Sequence, residues 1–219
     1  NPELVAGLNQ VLNYVEDNHH IVAVVVSAGE SPHFCAGGDL HFLKDLSPSE
    51  AQIFSDTVFD VCQRIERSPA VWCAMLKGAV LGGGTELALA FDIRFTHSST
   101  RFSCSQVKMG LSSGWGGFAR LQSLIGRAQA LRWILESKNL NAQSLVAAGL
   151  AYALDNDDEG ATLDAWRQAW CTEDVSTMRG AIAILKQPDH RAKEREVFGS
   201  LWKSPSHIDA LQSFLSKDR

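Results

Sequence analysis

Three consecutive glycines, Gly82, Gly83 and Gly84, stand just before a carboxylate, Glu86. They follow the apolar run Val71–Leu76, which predicts a buried strand. They open the small-residue run Glu86–Phe91, which predicts a helix. A glycine turn at a helix start lets the backbone approach a ligand closely. It also aims unpaired N–H groups outward at the positive end of the helix dipole. Such donors hold an oxygen on which negative charge is building. The same glycines equally fit a tight strand–helix turn packed with small residues. Glu86 is then either an acid working beside that oxygen or a carboxylate that complements the dipole.

A second junction of this kind lies upstream, in Ser31-Pro-His-Phe-Cys-Ala-Gly-Gly-Asp39-Leu40. Gly37 and Gly38 form its turn, and Asp39 reads as the cap of the helix that follows. Two junctions can offer two N–H donors to one oxygen, which narrows the chemistry more than either does alone. A further glycine-rich turn, Gly110–Gly117, precedes a helix over Phe118–Ile125. His33 reads as a surface loop residue, and His190 and His207 as surface residues without partners.

The elements that must position these residues follow from periodicity and punctuation. Pro2–Asn18 carries Leu4, Leu8, Val11, Leu12 and Val15 as one helical stripe, with Pro2 at the first turn. Ile21–Val26 is a continuous β-branched run that predicts a strand buried on both faces. Leu43–Pro48 reads as a mobile connection. Ser49–Arg67 is an amphipathic helix stopped by Ser68-Pro69. Asp92–Phe95 and Arg101–Ser103 predict short strands, and Gln106–Met109 a brief extended piece. Ala128–Ser137 and Ala142–Ala148 predict helices, and Gly149–Leu154 a short strand. Asp155–Gly160 reads as a solvated acidic connector. Helices follow over Ala161–Trp170, Thr177–Lys186, Arg191–Trp202 and Ile208–Lys217. This divides the chain into a core, 1–155, and a helical C-terminal region, 156–219.

The chain has 219 residues and a net charge of −5, which gives no overall pull on nucleic acid or an anionic membrane. No apolar run approaches the roughly 20 residues that span a bilayer, and Asn1-Pro2-Glu3 does not read as a signal peptide. The five cysteines show no CxxC spacing. They predict reduced core thiols in a cytoplasmic compartment, with no disulfide framework and no metal site.

The order strand, Phe34-Cys-Ala-Gly-Gly-Asp-Leu40, helix, strand, Lys77-Gly-Ala-Val-Leu-Gly-Gly-Gly-Thr-Glu-Leu87 carries a resemblance. With Asp92–Phe95, Arg101–Leu111 and Gly114-Trp-Gly-Gly117, it resembles the crotonase (enoyl-CoA hydratase/isomerase) superfamily over nearly the whole chain. That resemblance implies an α/β fold: a ββα spiral core with a helical C-terminal trimerisation region. It implies an acyl-CoA thioester as substrate, no separate cofactor, and a homotrimer or dimer of trimers. The Gly38 and Gly83 N–H groups would hold the thioester oxygen, and the segment Ala36, Asp39 and Leu40 would line the CoA. Trp115 would wall the acyl pocket. Ser213-Phe214-Leu-Ser-Lys217 resembles a terminal segment whose lysine reaches a CoA phosphate, often in a neighbouring subunit; it also fits an amphipathic terminal helix. The β-hairpin that family members usually carry before the first helix is not in this sequence.

One departure is chemical. Hydratases of the family grip a water between two carboxylates, one for the water and one for the α-carbon. Glu86 fills the first position, and Gln106 matches the second. Glutamine hydrogen-bonds but exchanges no proton at neutral pH, so Gln106 would serve as a substrate contact. Loss of CO2 from a malonyl-type thioester needs the oxyanion site and a single titratable group. Arg101–Gly110 is similar to the methylmalonyl-CoA decarboxylase branch. Gly114–Gly117 and Glu196–Trp202 are similar to the ethylmalonyl-CoA decarboxylase branch, although Ser113-Gly114 replaces that branch's proline and serine. The expected activity is therefore decarboxylation of a 2-carboxyacyl thioester of CoA or of an acyl-carrier protein. Hydration with Glu86 alone and a non-catalytic acyl-CoA-binding role stand as alternatives.

Overall fold

The computed structural model describes residues 1–170, 174–187 and 189–217. Its strands form two sheets. β1 (Ala23–Val26), β2 (Val71–Leu76), β4 (Ile93–Thr96) and β7 (Tyr152–Ala153) make a parallel sheet in that order. The register runs Ala23 to Val71, Cys73 to Ile93 and Phe95 to Tyr152. β3 (Ala79–Leu81) and β5 (Arg101–Ser103) pair in parallel in the second sheet, and β6 (Leu140–Asn141) joins β5 antiparallel. β2 and β4 of the first sheet are each followed by a strand of the second, β3 and β5, and then by helix, which is a ββα spiral.

In the first turn of the spiral, β1 leads to Cys35, which bridges Val80 of β3. The chain then enters α2 (Leu40–Leu43) and α3 (Pro48–Arg67). In the second, β2 and β3 lead to α4 (Gly83–Ala90); in the third, β4 and β5 lead to α5 (Gly117–Ile125) and α6 (Arg127–Glu136). α7 (Ala142–Ala147), α8 (Glu159–Trp170), α9 (Val175–Lys186), α10 (His190–Leu201) and α11 (Pro205–Lys217) complete the chain.

The local causes are visible in the sequence. α3 starts at a capping box, in which Ser47 accepts from Glu50 N and the Glu50 carboxylate accepts from Ser47 N. β2 is apolar throughout because both of its faces are covered, and Trp72 to Leu76 are fully buried. α1 (Pro2–Asp17) packs on α3, where Arg64 donates to Asn9 and Asn13 and pairs with Glu16 at 2.9 Å.

Several expectations change. β1 begins at Ala23 and is the sheet edge, so it is half-buried rather than covered on both faces. Ala79–Leu81, between the expected strand and the three glycines, is a strand of its own, because Arg101–Ser103 lies alongside to pair with it. Val107–Met109, expected as extended, is a 3-10 turn closed by Met109 N to Gln106 O. Leu43, expected in a mobile connection, ends α2. Cys62, Cys73 and Cys104 are buried and free, Cys35 is free and half-buried, and Cys171 lies outside the described residues.

Candidate active site

Glu86 sits in the first turn of α4 with 3% of its surface exposed. Its Oε2 accepts from the main-chain N–H of Trp115 and of Gly117, each at 2.9 Å, and from the Ser113 hydroxyl. Its Oε1 accepts from Gln106 Nε2 at 2.8 Å. The cause is local. Gly116 takes the left-handed conformation (φ 83°) and opens α5, so the first N–H groups of that helix have no partners within it. Of these, Gly117 N–H points at Glu86, which supplies the negative charge that a helix N-terminus favours, and Phe118 N–H donates to the Ser113 hydroxyl. Gly117 has to be glycine because a Cβ there would overlap the Glu86 side chain. Oε2 is therefore filled by three donors, and Oε1 has one. A proton that Glu86 gives or takes moves at Oε1.

The two glycine junctions meet beside this carboxylate. Cys35 N donates to Ala79 O at 3.2 Å and Leu81 N to Cys35 O at 3.1 Å, which lays the first junction along β3. The Cβ position of Gly37 lies 3.8 Å from Gly83 N, and a Cβ on Gly84 would overlap the Cys35 carbonyl. Neither Gly38 N–H nor Gly83 N–H has a hydrogen-bond partner among the described residues. Leu43 covers the side of Gly38 where a Cβ would stand, and the Trp115 ring does the same at Gly83. Two free amides thus lie in neighbouring turns, under apolar side chains, next to one anchored carboxylate. Both glycines are half-buried, and preorganised amide dipoles of this kind stabilise a developing oxyanion, the more so once a bound ligand excludes water.

The other expected residues fall as follows. Gln106, 7% exposed, spends its amide on Glu86, while its Oε1 is buried without a partner. Asp39 caps α2, accepting from His41 N at 3.0 Å and Phe42 N at 3.3 Å. Ala36 and Leu40 are exposed beside the glycine turn. Phe214 is 68% exposed on α11 and takes no part in the Glu86 cluster. Lys217 ends that helix, and its side chain lies outside the described residues. The histidines do have partners: His33 Nδ1 accepts from Ala79 N, His207 Nδ1 accepts from Lys203 N, and His190 Nδ1 lies 2.8 Å from Ile184 O. Burial pushes the thiols of Cys62 and Cys73 up to about 12 and that of Cys104 up to about 11. They remain neutral thiols rather than nucleophiles. Among the described residues, no group of three or more His, Cys, Asp or Glu is gathered to hold a metal ion, and no helix is long and apolar enough to cross a membrane.

Sequence reasoning missed Ser113 and the amides of Trp115 and Gly117. The signal was present: Gly114-Trp-Gly-Gly117 is a glycine turn opening a helix, like the two that were read as anion sites. Its anion is a side chain of the protein itself.

Residues 1–214 match the family model described as enoyl-CoA hydratase/isomerase. The chain belongs to this family. It is 27% identical over 227 residues to a short-chain-enoyl-CoA hydratase of Clostridium acetobutylicum, covering 99% of this chain and 86% of that protein. It is 29% identical over 193 residues to an ethylmalonyl-CoA decarboxylase of Xenopus tropicalis, covering 84% of this chain but only 64% of that protein. A crystal structure of an enoyl-CoA hydratase from Bacillus anthracis superposes with a TM-score of 0.91 over 99% of this chain and 87% of that one, at 21% identity. The fold is that of the crotonase superfamily, with its helical C-terminal region.

Proposed function

We propose that the protein decarboxylates a malonyl-type (2-carboxyacyl) thioester through an enolate. The observation that carries this reading is the pair Glu86–Gln106. The group facing Glu86 is an amide whose N–H binds the carboxylate at 2.8 Å, so the site holds one proton-exchanging group where water addition uses two. The C–COO⁻ bond breaks, its electron pair passes into the thioester, and the charge rests on the oxygen between Gly38 N–H and Gly83 N–H. CO2 leaves, and the α-carbon takes one proton from the side of Glu86 Oε1. Ala36, Asp39 and Leu40, beside the first junction, border the CoA or carrier arm, and the terminal segment that holds Phe214 and Lys217 serves a CoA phosphate, in this or a neighbouring copy.

The resemblance to the ethylmalonyl-CoA decarboxylases supports this reading. The resemblance to the Clostridium hydratase, which spans nearly the whole chain, keeps hydration through Glu86 alone as a second reading. The deciding experiment incubates the protein with malonyl-, methylmalonyl- and ethylmalonyl-CoA and, separately, crotonyl-CoA. We expect CO2 release from a 2-carboxyacyl thioester and little loss of the crotonyl absorbance. Glu86→Gln should lower turnover by about 100-fold, in the range of a lost proton-transfer group, with CoA binding kept. Hydration of crotonyl-CoA without CO2 release would reject the decarboxylase reading. Unchanged turnover in the variant would remove Glu86 from the mechanism.

We also infer self-association through the C-terminal helices. Phe198, Trp202, Phe214 and Leu215 are each more than half exposed there, and Phe198 and Trp202 line a groove of about 1130 Å³ between α9, α10 and α11.

A further inference from the structure

We propose that Trp115 sets the acyl-chain length this site accepts, restricting it to thioesters with a short substituent on the α-carbon. This rests on the reading of Gly38 and Gly83 as the holders of the thioester oxygen. The six-membered ring of Trp115 lies directly against Gly83, where a Cβ would overlap its Cζ3 and Cη2. A thioester oxygen bound at Gly83 N–H therefore places the acyl carbons beside that ring.

Trp115 is held at its backbone from two sides and at its ring by an aromatic stack. Its backbone N–H is held by Glu86 at 2.9 Å, and its carbonyl accepts from Arg120 Nη1. Arg120 is itself anchored, with two 2.8 Å hydrogen bonds to the Glu66 carboxylate and 9% of its surface exposed. Phe54 meets the ring edge-on at 6.4 Å and 76°, and Phe42 backs Phe54 at 5.2 Å. A chain long enough to reach the ring cannot push it aside without breaking this stack, whose edge-to-face contacts are favourable in their own right. The hydrogen bonds of Trp115 to Glu86 and Arg120 are main-chain bonds, so the side chain can be shortened with the Glu86 clamp left in place.

The test separates binding from reaction. Saturated acetyl-, butyryl-, hexanoyl- and octanoyl-CoA carry the same chain and have no carboxylate to lose. Their affinities for the wild-type protein, Trp115→Leu and Phe54→Ala are measured by isothermal titration calorimetry, with circular dichroism as a check on folding. We expect wild-type affinity to fall about tenfold or more between butyryl- and octanoyl-CoA, and Trp115→Leu to abolish or reverse that fall, since methylene-sized differences in a pocket carry about 10–200-fold. Phe54→Ala, which gives the ring room to tilt, shifts the profile in the same direction by less, and it decides the matter if Trp115→Leu does not fold. Wild-type affinity that rises steadily with chain length overturns the proposal, as does the wild-type profile retained in the folded variants. If the binding profile is as expected and no 2-carboxyacyl-CoA releases CO2, the decarboxylase reading fails while the wall stands.

Discussion

Replacing Gln106 by glutamate would set two carboxyl groups where an amide now donates to Glu86 Oε1 at 2.8 Å. Like charges at that separation share a proton, so one folded-state pKa is raised above its unfolded value. The sign follows by linkage. A carboxyl group that binds its proton more tightly when folded adds stability at low pH and loses it as pH rises. Relative to the wild type, the melting temperature of Gln106→Glu should be lowest near neutral pH and recover as pH falls through the carboxylate range. Thermal melts at several pH values measure this, and a constant difference would mean that the new carboxyl group turns away from Glu86. The same residue shows why part of the site was hidden in the sequence. That glutamine stands at the second acid position was legible from the spacing. That its N–H is tied to Glu86 was not, because the bond joins α4 to a loop 20 residues on.

α9 is held to the core by two cations that cap other helices. Lys186 Nζ donates to Ile65 O at the end of α3 and to Ala70 O, and pairs with Asp92 at 2.7 Å. Arg179 donates to Asn18 O and Ile21 O, just past the end of α1. Carbonyls at helix C-termini favour positive charge, so each cation adds a charged donor there, beside the main-chain bonds that Ile65 O accepts from Ser68 N and Asn18 O from Ile21 N. Lys186→Met removes all three contacts. A fully buried pair broken this way costs about 3–5 kcal/mol; Asp92 keeps some solvent and also accepts from Trp72 N, so about 2–3 kcal/mol is expected. At this chain length that lowers Tm by roughly 4–12 °C. Arg132→Met, which breaks a surface pair with 65% of the arginine side chain exposed, should cost well under 1 kcal/mol. Equal losses in the two variants, in the same calorimeter, would count against the capping argument. Long elements such as α3 and β2 were readable from a sustained pattern with clear stops. β3 was not, because three residues carry no period and the strand exists through its pairing with β5 on one side and the bridge to Cys35 on the other.

At the scale of the whole molecule, the helices that close the chain leave apolar surface uncovered. Phe198 and Trp202 stack at 5.3 Å on α10 while staying 64% and 56% exposed, and Leu211, Phe214 and Leu215 continue the apolar surface along α11. The sequence showed these helices as amphipathic, but periodicity says only which face is apolar, not what covers it. Burying a Phe or Trp side chain of this kind is favourable by about 1.5–3 kcal/mol each, enough in combination to hold copies together at micromolar concentration. Sedimentation velocity should therefore find a species heavier than 23.9 kDa. Trp202→Glu combined with Phe214→Glu should move it toward the monomer, because two charges would have to be buried in place of two rings. The Glu86 clamp lies within one chain, from α4 to the start of α5, so the dissociated variant should keep its fold by circular dichroism. Its affinity for an acyl-CoA then shows whether a neighbouring copy completes the binding surface: a large loss means that it does, and an unchanged value means that each copy binds alone. A wild-type protein that sediments as a monomer across the micromolar range would rule out self-association through these helices.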